Sequence, residues 1–110
     1  MKMYLDTSTS VAKLKLDDKV YEQGFDRAMT EKILAFIRDK LAENSADWQD
    51  ISEITYFSGP GSFTGLRIGA TIVNTLAHEL NIPLFDHRGE KHQIILPDYG
   101  RPANISAPKK

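Results

Sequence analysis

Ser62 and Thr64 stand where hydroxyls, an arginine and a run of glycines crowd together: Ser58-Gly59-Pro60-Gly61-Ser62-Phe63-Thr64-Gly65-Leu66-Arg67-Ile68-Gly69. The segment lies between an apolar extended run at residues 54–57 and a helical pattern that starts near Ser62. A glycine-rich link of this kind lines up backbone N–H groups at a helix N-terminus, and two uses follow. The N–H groups, with the Ser62 and Thr64 hydroxyls, can hold an anion. Alternatively, Gly59, Pro60, Gly61 and Gly65 form a structural turn that aims the helix and admits a close-packed partner. Neither standard phosphate motif is present. No Lys-Ser/Thr follows the last glycine, and Gly59, Gly61 and Gly65 are spaced two and then four apart, unlike a dinucleotide fingerprint. The structural turn is the preferred reading.

Other residues with chemical potential are sparse. The chain has no cysteine, which excludes disulfides, thiolate nucleophiles and cysteine zinc sites. His78, His87 and His92 form no helical H-x-x-x-H pair and read as solvated or hydrogen-bonded surface residues, so no metal site is expected. No G-x-S-x-G elbow occurs. Asp17, Asp18, Asp47 and Asp50 read as turn and cap residues. Net charge is −1, without the electrostatic signature of a nucleic-acid binder. Residues 87–110 nevertheless hold five Lys/Arg against two Asp/Glu. Arg88, Lys91, Arg101, Lys109 and Lys110 could touch RNA phosphates weakly, although a solvated tail is the preferred reading. No apolar run suits a signal peptide or a membrane span, so a cytoplasmic location is expected.

The elements that must position these residues follow from periodicity. Residues 3–6 read as a strand ending in Asp6-Thr7-Ser8-Thr9-Ser10. Alternation of Ala12, Leu14 and Leu16 with Lys13 and Lys15 predicts a strand, turned at Asp17-Asp18 into a hairpin over residues 11–25, with Gly24 at a bulge or strand end. Ile33, Leu34, Ile37 and Leu41, widened by Met29 and Phe36, predict a helix capped by Thr30 and ending at residues 44–47. A strand over 54–58, a helix over 62–80 closed by Asn81 and Pro83, and a short strand over 83–86 complete an α/β order with a parallel crossover. Residues 87–110 are expected to be a mostly irregular tail outside a lobe of residues 1–86, with a candidate strand at 93–96.

The second helix carries two apolar stripes. Leu66, Gly69, Ala70, Val73, Ala77 and Leu80 form one; Ile68, Ile72 and Leu76, with Gly65, form another. Together they span roughly 200° of the circumference, where a stripe somewhat over 100° serves an ordinary surface helix. The second stripe needs its own cover, either the first helix or another chain brought close at Gly65 and Gly69. The second chain is the favoured reading, with Phe63, Arg67, Ile68, Gly69, Ile72 and Leu76 at the interface and Leu34, Ile37 and Leu41 beside them.

Asp6-Thr7-Ser8-Thr9 resembles the acidic first phosphate loop of actin-like ATPases, where the aspartate holds hydrated magnesium and the hydroxyls contact phosphate. Combined with Gly59-Pro60-Gly61-Ser62-Phe63-Thr64-Gly65-Leu66-Arg67-Ile68-Gly69 and Asn81-Ile82-Pro83-Leu84, it makes residues 1–86 similar to the TsaB (YeaZ) family, historically called glycoprotease-like or peptidase M22-like. That resemblance implies a single actin-like (ASKHA, ribonuclease H-like) lobe, with a mixed sheet, an N-terminal hairpin and two main helices. It implies a non-catalytic subunit without cofactor, acting in tRNA threonylcarbamoyladenosine synthesis. It further implies binding to a TsaD-like transferase through the helices, a TsaE-like ATPase joining the pair, and a homodimer that uses similar surface. Asp6, Thr7 and Ser8 would then be a vestigial phosphate loop. Ala28-Met29-Thr30 departs from the family, which usually has a histidine followed by Ser/Thr there. The alternatives are a small nucleotide- or phosphate-binding enzyme using Asp6, Thr7, Ser62 and Thr64, and a purely self-associating domain.

Overall fold

A computed structural model describes residues 1–25 and 30–98. The expectations placed on Ala28, Met29, Arg101, Lys109 and Lys110 lie outside the described residues. Among the described residues lie six strands and two α-helices: β1 (Lys2–Asp6), β2 (Val11–Leu16), β3 (Lys19–Gly24), α1 (Thr30–Glu43), β4 (Glu53–Tyr56), α2 (Phe63–Leu80), β5 (Leu84–Asp86) and β6 (Lys91–His92), with a short 3-10 turn at Trp48–Asp50. They form one mixed sheet ordered β3-β2-β1-β4-β5-β6. β4 lies parallel to both β1 and β5, while the remaining pairs are antiparallel.

Alternation in the sequence sets the two faces of the sheet. Met3 and Leu5 on β1, Ala12, Leu14 and Leu16 on β2, Ile54 and Tyr56 on β4, and Leu84 on β5 are all buried. Lys13 and Lys15 point the other way and are exposed. Both helices join the same core through Ile33, Phe36, Ile37 and Leu41 of α1 and Ile72, Val73 and Ala77 of α2, so the lobe is two-layered, helices on one face.

The turns and caps follow local chemistry. The two-residue hairpin turn sets Asp17 at φ 53°, a left-handed conformation that aspartate tolerates, and its carboxylate accepts the Lys2 N–H at 2.9 Å. Ser62 caps α2 by accepting the Gly65 N–H. Asn81, at φ 55°, ends the helix in the left-handed conformation. At the end of α1, Asn44 donates to the Lys40 carbonyl at 2.7 Å and to the Tyr21 hydroxyl at 2.9 Å, tying the helix to β3.

The C-terminal segment departs from expectation. The boundary at residue 86 falls inside an antiparallel hairpin, because β6 pairs with β5 through Leu84↔His92 and Phe85↔Lys91. The strand expected at 93–96 does not form; the strand is Lys91–His92 instead. Residues 93–98 leave the sheet as an irregular strap. Ile95 is buried, and its N–H and C=O are both taken by the Asn74 side chain on α2, at 2.9 and 3.0 Å. Ile94 and Leu96 on either side are 62% and 77% exposed. Three consecutive apolar residues thus supply one anchor, and a side chain on another element replaces a strand partner.

Candidate interaction surface

The glycine segment folds down onto the end of β1. Ser62 donates its N–H to the Ser8 carbonyl at 2.8 Å, and a side chain at Gly61 would overlap Ser8. Gly59 takes φ 125°, and a Cβ there would strike the Asp98 carbonyl, whose own N–H donates to the Ser58 carbonyl at 2.7 Å. Strap, loop and β1 therefore close around one another.

Thr7 and Tyr56 fix the start of α2 from below. Thr7 is buried and donates its hydroxyl to the Gly65 carbonyl at 2.6 Å; the buried Tyr56 hydroxyl donates to the Leu66 carbonyl at 2.7 Å. Their oxygens lie 3.3 Å apart. A Cβ at Gly65 would overlap the Thr7 carbonyl, and one at Gly69 would overlap Thr7 Oγ1 and come within 2.6 Å of the Tyr56 hydroxyl. These two glycines were expected to admit a second chain. Their close approach is intramolecular instead, because β1 and β4 fill the space that the missing side chains leave.

Thr7 and Ser8 are similarly buried, with Asp6 half-buried beside them. Asp6 Oδ1 accepts from both the N–H and the hydroxyl of Ser8, at 2.8 and 2.6 Å. The Thr7 hydroxyl points into α2. This arrangement stabilises a turn and leaves the Thr7 hydroxyl unavailable to an incoming phosphate.

The expected interface residues divide sharply. Ile37, Leu41, Gly69 and Ile72 are buried within the lobe, Ile72 being only 2% exposed. They cannot present a docking face. The second stripe of α2 has an intramolecular cover, since Ile72 lies in the common core and Ile68 and Leu76 pack against it half-buried. A large charged residue at Gly69 or Ile72 would therefore attack the fold itself. Leu34 is half-buried, while Phe63, Thr64 and Arg67 are exposed, Phe63 by 46%. Thr64, Arg67, Ile68 and Thr71 line a shallow cleft with Thr30 at the start of α1, and the Thr71 hydroxyl donates to the Arg67 carbonyl. What remains for contact is the outward face of the first two turns of α2.

One cluster escaped the sequence reading. Asp86 at the end of β5 is almost fully buried; its Oδ1 accepts the N–H groups of Arg88 and Glu90 at 2.9 and 3.0 Å, and its Oδ2 lies 2.8 Å from His92 Nε2. The His92 hydrogen bond, followed by the two backbone bonds, lowers the Asp86 carboxyl to about 2 against partial desolvation. His92 is thus one of the hydrogen-bonded histidines the sequence reading allowed, and two carboxylates that reading did not connect with it lie close by. The signal was the D-x-x-x-E-x-H spacing of Asp86, Glu90 and His92, which a β-hairpin brings together. His87 faces elsewhere: its ring packs against Phe57 at 4.5 Å between centroids, tilted by 39°, and Nδ1 accepts the Ser58 N–H at 3.4 Å.

The sheet order, the crossover through α2 and the acidic loop at the end of β1 define an actin-like α/β lobe. A family model described as TsaD, tRNA N6-adenosine threonylcarbamoyltransferase, matches residues 22–86. The tRNA threonylcarbamoyladenosine biosynthesis protein TsaB of Escherichia coli (strain K12) is 34% identical over 84 residues, covering 73% of this chain and 36% of that protein. Its Haemophilus influenzae counterpart is 37% identical with the same coverage. The solved structure of YeaZ from Pseudomonas aeruginosa superposes with a TM-score of 0.68 at 29% identity, covering 77% of this chain and 42% of that one. The chain belongs to the TsaB (YeaZ) family, and it spans little more than a third of the length of the curated relatives named here. Among the described residues, no helix is long and apolar enough to cross a membrane.

Proposed function

We propose that this chain serves tRNA threonylcarbamoyladenosine biosynthesis as a non-catalytic, cytoplasmic subunit that docks a TsaD-like transferase through the outer face of α2. The carrying observation is the exposed Phe63 and Arg67, side by side with Ile68, on a helix start held rigidly from beneath. Aromatic and arginine side chains on a firm backbone are the residues that dominate protein interfaces. The match of residues 22–86 to a transferase family model supports a partner with a lobe of like fold, whose equivalent helix would meet α2 in a pseudo-symmetric bundle. A TsaE-like ATPase would join that pair, and a homodimer would compete for the same surface. Contact with tRNA would run through the partner. The inward engagement of Thr7 and Ser8 favours this reading over a nucleotide-binding enzyme.

Calorimetric titration against a TsaD-like transferase tests it. Phe63→Asp and Arg67→Glu are each expected to weaken binding by about 30-fold, the hot-spot scale. As surface substitutions they should leave stability within about 0.5 kcal/mol of the parent. Undiminished binding by both variants, or no binding by the parent chain, refutes the interface. Self-association lost in the same variants, without transferase binding, identifies the homodimer as the occupant.

A further inference from the structure

We infer that Asp86, Glu90 and His92 form a binding site for a divalent transition-metal ion of the zinc type. Two carboxylate oxygens and one imidazole nitrogen, all within 4.8 Å of one another, converge at the β5–β6 hairpin. Ligands around a four-coordinate zinc ion with bonds of about 2.0–2.2 Å sit roughly 3–4 Å apart, so a rotation of the Glu90 side chain completes the set. The mix of imidazole and carboxylate suits zinc, cobalt or nickel better than magnesium or calcium.

The inner and outer atoms of the site are already sorted. Asp86 Oδ1 is held by the backbone N–H groups of Arg88 and Glu90, which orients the carboxylate and leaves Oδ2 facing His92. Supporting hydrogen bonds of this kind are what position a ligating carboxylate. Glu90 is exposed, and its carboxylate enters no ion pair among the described residues. The Asp86 and Glu90 carboxylates thus approach one another and His92, a juxtaposition of two anionic groups that a divalent cation relieves. Arg88 is a weak competitor: its guanidinium lies 3.7 Å from Asp86 Oδ2 with the side chain 61% exposed, the kind of contact worth little in water. On metal binding the imidazole adopts the tautomer with its proton on Nδ1, so that the Nε2 lone pair goes to the ion in place of the hydrogen bond to Asp86.

Such an ion would clasp β6 onto β5 at the point where the strap toward Ile95 begins. It is independent of the transferase reading, and its test needs no partner. The untagged 110-residue chain is titrated with zinc chloride by calorimetry and with cobalt chloride by visible absorption. One ion per chain, a tetrahedral cobalt spectrum and a zinc-dependent rise in melting temperature are expected. Glu90→Gln, which leaves the buried carboxylate and its partners intact, should weaken zinc at least tenfold, and His92→Gln should lose the cobalt spectrum. Magnesium at equal concentration should leave the melting temperature unchanged. Absence of stoichiometric binding, or unchanged affinity in both variants, overturns the assignment.

Discussion

Replacing Gly69 by alanine sets two magnitudes against each other. In an exposed helix interior the change stabilises by about 1 kcal/mol, because alanine loses less backbone freedom on folding. At this position the new methyl would overlap Thr7 Oγ1 and approach Tyr56 Oη and Cε1 to 2.6 and 2.7 Å. Tyr56 is fully buried and Thr7 nearly so, leaving neither free to rotate into solvent. Overpacking of this kind costs about 1–3 kcal/mol. Displacing either hydroxyl also breaks its bond to the Gly65 or Leu66 carbonyl, with a further penalty of about 1–3 kcal/mol for a buried group left unpaired. Net destabilisation of about 1–5 kcal/mol is expected, a midrange of about 3 kcal/mol lowering the melting temperature on the order of 15 °C for a domain this size. Urea denaturation followed by circular dichroism reads it directly. A Gly69→Ala chain as stable as the parent, or more so, would show that helix propensity governs the site and that the contact with β1 and β4 yields easily.

Two further outcomes follow from the C-terminal half of the lobe. Because the folded-state pKa of Asp86 is lowered to about 2 from 3.8, its contribution is fully present above about pH 4 and disappears as pH falls toward 2; Asp86→Asn should flatten the acid limb of the stability profile in that window, and an unchanged limb would remove the assignment. Asn74→Ala should release residues 93–98, since both backbone groups of Ile95 lose their partner. The expected cost is about 1–3 kcal/mol, with faster amide exchange at Ile95; retained protection there would mean the strap is held without Asn74.

What the sequence revealed was local. Ser62, Asn81 and Pro83 mark the ends of α2 because capping depends on a few neighbouring residues, and the Ala12, Leu14, Leu16 alternation fixes a one-sided strand for the same reason. Pairings between distant elements were not legible. The spacing of Gly65 and Gly69 announces a close contact but cannot say whether β1 and β4 or a second molecule makes it. Ile95 looks like a strand residue because its partner, Asn74, lies 21 positions away on a helix. Asp86 and His92 meet only once the hairpin closes.

Thr7, just after β1, and Tyr56, at the end of β4, hand their hydroxyl protons to carbonyls in the first turn of α2. The segment beneath Phe63 and Arg67 is thereby bolted to the sheet rather than left to fray, as helix beginnings often do. Whatever lands there meets a surface whose main chain has already been ordered during folding, and the encounter need freeze only a few side-chain torsions.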